Sequence, residues 1–189
     1  MSDTHKRMVG SILLPLNSII YRGEDPLSLA SYTVKFQMEG ETTGTSKVAE
    51  STTGVTAHPT QTFTGEADDD YLTCVAHGVQ AGDQIVVSNS GGALPTGLSA
   101  STPYFAIDVS PNKFRLATIP SGPAVAITAD GTGTQSFYIV GSVQKVFIAA
   151  DVNTAGRYSA WWTVYSGSDF AAAPVTKQGL IVEVVSFGN

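Results

Sequence analysis

Apolar and polar residues alternate one by one along much of this chain, and no segment carries a convincing helical period. Tyr32 to Glu39 is the clearest case. Tyr32, Val34, Phe36 and Met38 fall on one face, and Thr33, Lys35, Gln37 and Glu39 on the other. Such a segment is a strand with one buried side and one wet side. Tyr158 to Tyr165 and Leu180 to Val185 are two more, rich in the aromatic and β-branched residues that suit a pleated, half-buried surface. Val143 to Ala149 predicts a fourth. Ser11 to Tyr21 predicts another, bent or at an edge, because Pro15 has no N–H to give a central ladder.

The middle of the chain predicts shorter strands at close spacing: Tyr71 to Val75, Gln84 to Ser88, Tyr104 to Asp108, Lys113 to Leu116 and Val125 to Thr128. Ala81-Gly82-Asp83, Ser90-Gly91-Gly92, Ser110-Pro111-Asn112 and Ala129-Asp130-Gly131 separate them with the residues tight turns need. Strands this short with turns this frequent point to a small barrel or sandwich. Gly40 to Thr62 is mostly Gly, Ser, Thr and Ala, and is expected as a long loop or irregular edge hairpin. The fold expected is therefore all-β. An immunoglobulin-like β-sandwich would be built from both chain ends, residues 11–59 plus 138–189, with a small β-barrel or sandwich, residues 60–137, inserted between them. Residues 1–10 are expected as a flexible arm, either frayed or ordered on a neighbouring subunit.

Charge supports a separate middle unit. The chain carries a net −6, and Thr60 to Phe137 holds seven acids (Glu66, Asp68, Asp69, Asp70, Asp83, Asp108, Asp130) against Lys113 and Arg115. An acidic chain with so few clustered bases is not expected to bind nucleic acid, and no stretch is long and apolar enough to suggest a membrane span. His5-Lys6-Arg7 followed by Met8 to Ile20 has the outline of a signal peptide, but Pro15, Asn17 and Ser18 interrupt the apolar run. Cys74 is the single cysteine, so a disulfide within the chain is excluded, and its strand context suggests burial.

Two sets of phrases resemble known families. The flanks, with Arg22-Gly23-Glu24-Asp25-Pro26-Leu27-Ser28-Leu29, Thr33-Val34-Lys35-Phe36-Gln37-Met38, Asp151-Val152-Asn153-Thr154-Ala155-Gly156-Arg157-Tyr158-Ser159-Ala160 and Gly179 to Val184, resemble the immunoglobulin-like domain of phage baseplate upper proteins. The middle resembles a small β module recurrent in phage tail and other virion proteins. Its matching phrases are His77-Gly78, Gly82-Asp83-Gln84-Ile85, Leu94-Pro95-Thr96-Gly97-Leu98, Thr102-Pro103-Tyr104, Asn112 to Ala117 and Ile127 to Thr134. The resemblances imply a non-enzymatic virion structural protein (decoration, collar, tail or baseplate component). Its partners would be capsid, neck or tail subunits and further copies of itself, and its location the virion. The rival expectation is a receptor-binding module that recognises a host surface glycan.

Candidate sites are few. Glu66, Asp68, Asp69 and Asp70 could offer oxygens to a divalent cation, although their spacing is not that of an EF-hand loop. A solvated acidic turn is the plainer reading, and no cofactor is expected. His5, His58 and His77 are scattered; His77, before Gly78, is expected to cap or shape a turn. No nucleophile-elbow phrase is present, and the chain is not expected to be an enzyme. Trp161 and Trp162 are adjacent on one strand and must face opposite ways. Tyr158, Ala160, Trp162 and Val164 form the more apolar row, which assigns Trp162 to the core and leaves Trp161 and Tyr165 as interface candidates.

Overall fold

The computed structural model describes residues 4–8, 15–166 and 176–185. The chain falls into two compact units, Met1–His58 with Gly141–Asn189, and Pro59–Val140. The first unit opens with β1 (Thr4–Met8), β2 (Leu16–Ile19), β3 (Tyr21–Arg22), β4 (Asp25–Pro26), β5 (Tyr32–Gly40), β6 (Ser46–Ser51) and β7 (Val55–Ala57). The second contains β8 (Gln61–Glu66), β9 (Tyr71–Thr73), β10 (Gln84–Ser90), β11 (Pro103–Ser110), β12 (Lys113–Ala117) and β13 (Thr134–Ile139). The first unit then resumes with β14 (Ser142–Lys145), a 3-10 turn at Ala149–Val152, β15 (Gly156–Ser166) and β16 (Thr176–Val185). No helix among the described residues is long and apolar enough to cross a membrane.

The first unit is a β-sandwich. One sheet runs β1-β16-β15-β5-β6 and the other β2-β14-β7, with β3 and β4 as a separate ribbon. If β2, β5, β7, β14, β15 and β16 are lettered B to G, the sheets pair as B–E–D and G–F–C, with β6 as an added strand beside C. That is the immunoglobulin arrangement. A second mark of that fold stands at the start of β15, where the Tyr158 hydroxyl donates to the Thr154 carbonyl at 3.0 Å. Antibody domains place a cysteine two residues after this tyrosine. Here the position is Ala160, and aromatic packing fills the core instead. Phe36 meets Trp162 edge-on at 4.9 Å between ring centres, and meets Phe147 at 5.8 Å. Leu16, Val34, Met38, Val143, Ala160, Val164 and Val182 complete a core drawn from both sheets.

The second unit is a closed barrel in the order β10-β11-β12-β9-β8-β13. Alternate residues of each strand point inward, and Leu72, Ile85, Val87, Ala106, Phe114, Leu116 and Phe137 are almost wholly buried there. Closure leaves no open ladder edge, which suits strands of so few residues.

Several expectations change. Of the two readings of Gly40 to Thr62, the irregular edge hairpin holds and the long loop does not: β6 pairs with β5 through register shifts at the sheet edge, and β7 and the start of β8 follow, while Val48 is the one buried residue of β6. Val125 to Thr128 is not a strand. Ala124 makes a single bridge to Ala117, the Val125 N–H bonds the Leu116 carbonyl at 2.7 Å, and the Ile127 N–H is taken by the Asp70 carboxylate at 2.7 Å. The strand from Val143 stops at Lys145 and gives way to the 3-10 turn. Of Ser11 to Tyr21, the described part is broken into β2 and the start of β3, and residues 11–14 lie outside the described residues. Residues 4–8, expected in the flexible arm, form β1 in register along β16, whose outer edge offers unpaired backbone groups to an extended segment.

Candidate interaction surface

The acidic turn between β8 and β9 is held by its own carboxylates. Asp69 accepts the Tyr71 N–H at 3.2 Å and the Lys113 ammonium at 3.2 Å, and Asp70 accepts the Ile127 N–H. Glu66 accepts the Thr73 hydroxyl and lies 3.6 Å from Lys113. Lys113 and Arg115 stack on the Tyr71 ring at 4.7 and 4.2 Å. Desolvation pushes the Asp69 carboxyl up, but the hydrogen bonds from Lys113 and Tyr71 and the charges of Lys113 and Arg115 outweigh it, so its pKa falls. The turn thus supplies acceptors to backbone N–H groups and to two cations. Among the described residues no group of three or more His, Cys, Asp or Glu side chains is placed to hold a metal.

The outer face of the five-stranded sheet is where the interface candidates lie. Trp162 is fully buried, so Trp161 is on the opposite side, as the parity of the strand requires. Trp161 is in register with Gln37 of β5 and Gly179 of β16. The indole lies close over the glycine: a Cβ there would stand in ordinary contact, 3.4 Å from Cδ1 and 3.5 Å from Nε1. The half-buried ring therefore lies across its neighbouring strand, beside Gln37 and Glu39, whose side chains share a hydrogen bond of 3.4 Å.

Tyr165, four residues along the same row, is not an open anchor. It is 8% exposed, its hydroxyl lies 3.1 Å from both Glu50 carboxylate oxygens, and Lys35 Nζ sits 5.1 Å from the ring centre. Burial, then the Glu50 hydrogen bond and charge, raises its pKa. The edge strand β6 carries Glu50 and closes this end of the face. Trp161 remains the interface candidate, and Tyr165 is withdrawn as one.

Several further polar residues brace backbone geometry. His77 is 3% exposed; its Nδ1 accepts the Val79 N–H at 2.9 Å, so its Nε2–H donates to the Ser110 carbonyl at 2.8 Å. Asp83 accepts the Gln80 N–H at 2.8 Å, and Tyr104 accepts the Ser99 N–H on its hydroxyl at 2.9 Å. Gly97 has φ +100°, and a Cβ there would fall 2.2 Å from the Ala126 carbonyl oxygen, so this turn admits only glycine. Cys74 is half-buried with its thiol 3.6 Å from Gln61 Oε1, and burial raises its pKa, the opposite of an activated nucleophile. A groove of about 340 Å³ on the barrel is lined by Thr62, Phe63, Thr64, Gly133, Thr134 and Gln135, which supply hydroxyl and amide groups but no base beside a nucleophile.

Two polar arrangements had no signal in the sequence. His58 accepts the Leu29 N–H at 3.1 Å and the Gly141 N–H at 3.2 Å on Nε2, and burial lowers its pKa. Lys145, 2% exposed, lies 3.2 Å from Asp151 Oδ2 and donates to the Thr53 carbonyl at 2.9 Å. Only a buried lysine in a strand otherwise reading as core could have hinted at the second. Compared with known proteins, the chain matches no family model, no curated protein and no solved structure.

Proposed function

We propose that this chain is a non-enzymatic structural component of a tailed-phage virion, a decoration, collar, tail or baseplate subunit that binds neighbouring subunits. The observation that carries the reading is the use of the motif residues. The phrases that resemble virion modules supply turn and bracing groups: His77 between Val79 and Ser110, Asp83 on Gln80, Gly97 against Ala126, and Tyr158 on Thr154. Their roles are architectural, which suits a protein whose task is to hold a shape in many copies. The half-buried Trp161 ring on the outer face of the sheet supports a contact with another protein. Weak contacts of this kind become effective by repetition over a particle.

The test is direct. Particles from the encoding phage, purified on a density gradient and labelled with antibody to this chain, should show regular decoration at one station. Absence of the chain from intact particles overturns the reading. Binding of the purified protein to defined members of a glycan array, lost in Trp161→Ala, would favour a receptor-binding module in its place.

A further inference from the structure

The β1–β16 ladder points to an interaction surface and its partner. β1 is held on one side only, in the one parallel pairing among the described strands, with Thr4, His5, Lys6, Arg7 and Met8 in register with Ile181, Val182, Glu183, Val184 and Val185. Parallel ladders are slightly weaker per residue than antiparallel ones. The ladder is what the two strands share over all five residues, and a backbone ladder does not distinguish one copy of the chain from another.

We infer that the β16 edge is a strand-acceptor site and that its partner is residues 4–8 of a second copy of this chain. Exchange removes a parallel ladder within one molecule and restores the same ladder between two, so it costs no pairing. Lys6 and Glu183 hold the same register position in either arrangement. The seven residues between Met8 and Leu16 can span roughly 25 Å when extended, enough to reach the sheet edge of an adjoining molecule. Strand addition to a sheet edge is a general mode of recognition, and reciprocal exchange gives dimers at low cost. The purpose of the exchange rests on the assembly reading above; its geometry rests on the ladder alone.

Disulfide trapping in purified full-length protein tests it, with Cys74→Ser as background. Paired strands bring Cα atoms within the range a disulfide spans. The double variant Lys6→Cys/Glu183→Cys should form an intrachain crosslink at low protein concentration. When Lys6→Cys and Glu183→Cys are made in separate molecules and mixed, oxidation should give a heterodimer whose yield rises with concentration. It should exceed the yield from Lys6→Cys mixed with Thr43→Cys at least several-fold. An intrachain crosslink with no heterodimer above that control leaves β1 in place and overturns exchange. Failure of both the intrachain and the interchain crosslink overturns the ladder and the proposal with it. Neither result depends on whether the chain is a virion protein, which particle labelling decides separately.

Discussion

His58 Nε2 accepts the backbone N–H of Gly141 at 3.2 Å, and the His58 N–H donates to the Ser142 carbonyl at 2.8 Å. These are the residues at which the chain leaves the sandwich and returns to it. Gly141 has φ +76°, and a Cβ there would lie 2.7 Å from the Ile20 carbonyl oxygen, so the return point is fixed tightly against β2. The two crossing points are thus neighbours inside the sandwich. Deleting Pro59–Val140 and joining the ends with a short Gly/Ser linker should leave a sandwich that unfolds cooperatively, as a small domain does. Urea denaturation followed by tryptophan fluorescence checks this, because both tryptophans lie in the sandwich. A non-cooperative profile from the deletion, beside a cooperative one from the full chain, would show that the sandwich needs the barrel to fold.

The same histidine predicts a pH dependence. Burial lowers its pKa, and its Nε2 must be unprotonated to accept from Leu29 and Gly141. Native His58 therefore binds fewer protons than the same residue in the unfolded chain. Its contribution is complete above the unfolded pKa of about 6.5 and is lost as pH falls from there toward the lower native value. Thermal melts between pH 7.5 and 5 should show the sandwich losing stability on acidification. His58→Asn, which tolerates the residue's φ of +49°, should be less stable at pH 7.5 and show a shallower slope. An unchanged slope would mean another group titrates.

Trp161 and Trp162 separate core from surface on a single strand. Trp162 is fully buried and packs edge-on to Phe36, so Trp162→Ala should cost about 3–5 kcal/mol, enough to unfold a marginal domain. Trp161→Ala removes a half-buried ring lying over Gly179 and should cost well under half of that. Urea midpoints of the two purified variants decide. Equal losses would mean that the outer face is as closed at Trp161 as it is at Tyr165.

Physical reasons set how much of this was legible. β5 alternates strictly, and β15 sets Tyr158, Ala160, Trp162 and Val164 on one row, so the all-β class and the assignment of Trp162 to the core followed from parity. β8 and β13 do not alternate in that way. β8 points Phe63 and Gly65 inward, and β13 points Gln135 and Phe137 inward. The Gln135 amide is buried because its N–H groups reach the Ala93 and Thr132 carbonyls at 2.9 and 2.8 Å. A polar residue whose amide nitrogen is held by loop carbonyls leaves no hydrophobic signal. Tyr165 was misjudged for a similar reason: its cover is Glu50, 115 positions away on an edge strand whose pattern is weak. His58 acts on backbone N–H groups, which carry no residue identity at all.

The buried pair of Lys145 and Asp151 gives the last prediction. Lys145 Nζ lies 3.2 Å from Asp151 Oδ2, with the Phe147 and Phe36 ring centres 5.6 and 6.0 Å away, so the ammonium has an aromatic surround and one carboxylate. Asp151 also accepts the Ile148 N–H at 3.1 Å, which closes the 3-10 turn leading to β15. Removing the acid leaves a buried cation with only the Thr53 carbonyl, and breaking a buried pair from one side typically costs about 3–5 kcal/mol. Replacing the base is a smaller loss, because Asp151 keeps its backbone partner and is closer to solvent. Asp151→Ala should therefore lower the urea midpoint more than Lys145→Met. The double variant should be more stable than Asp151→Ala alone, since methionine fills the aromatic pocket without a charge. Additive losses in the double variant would mean that the two groups do not act as a pair, and that Asp151 matters through the turn alone.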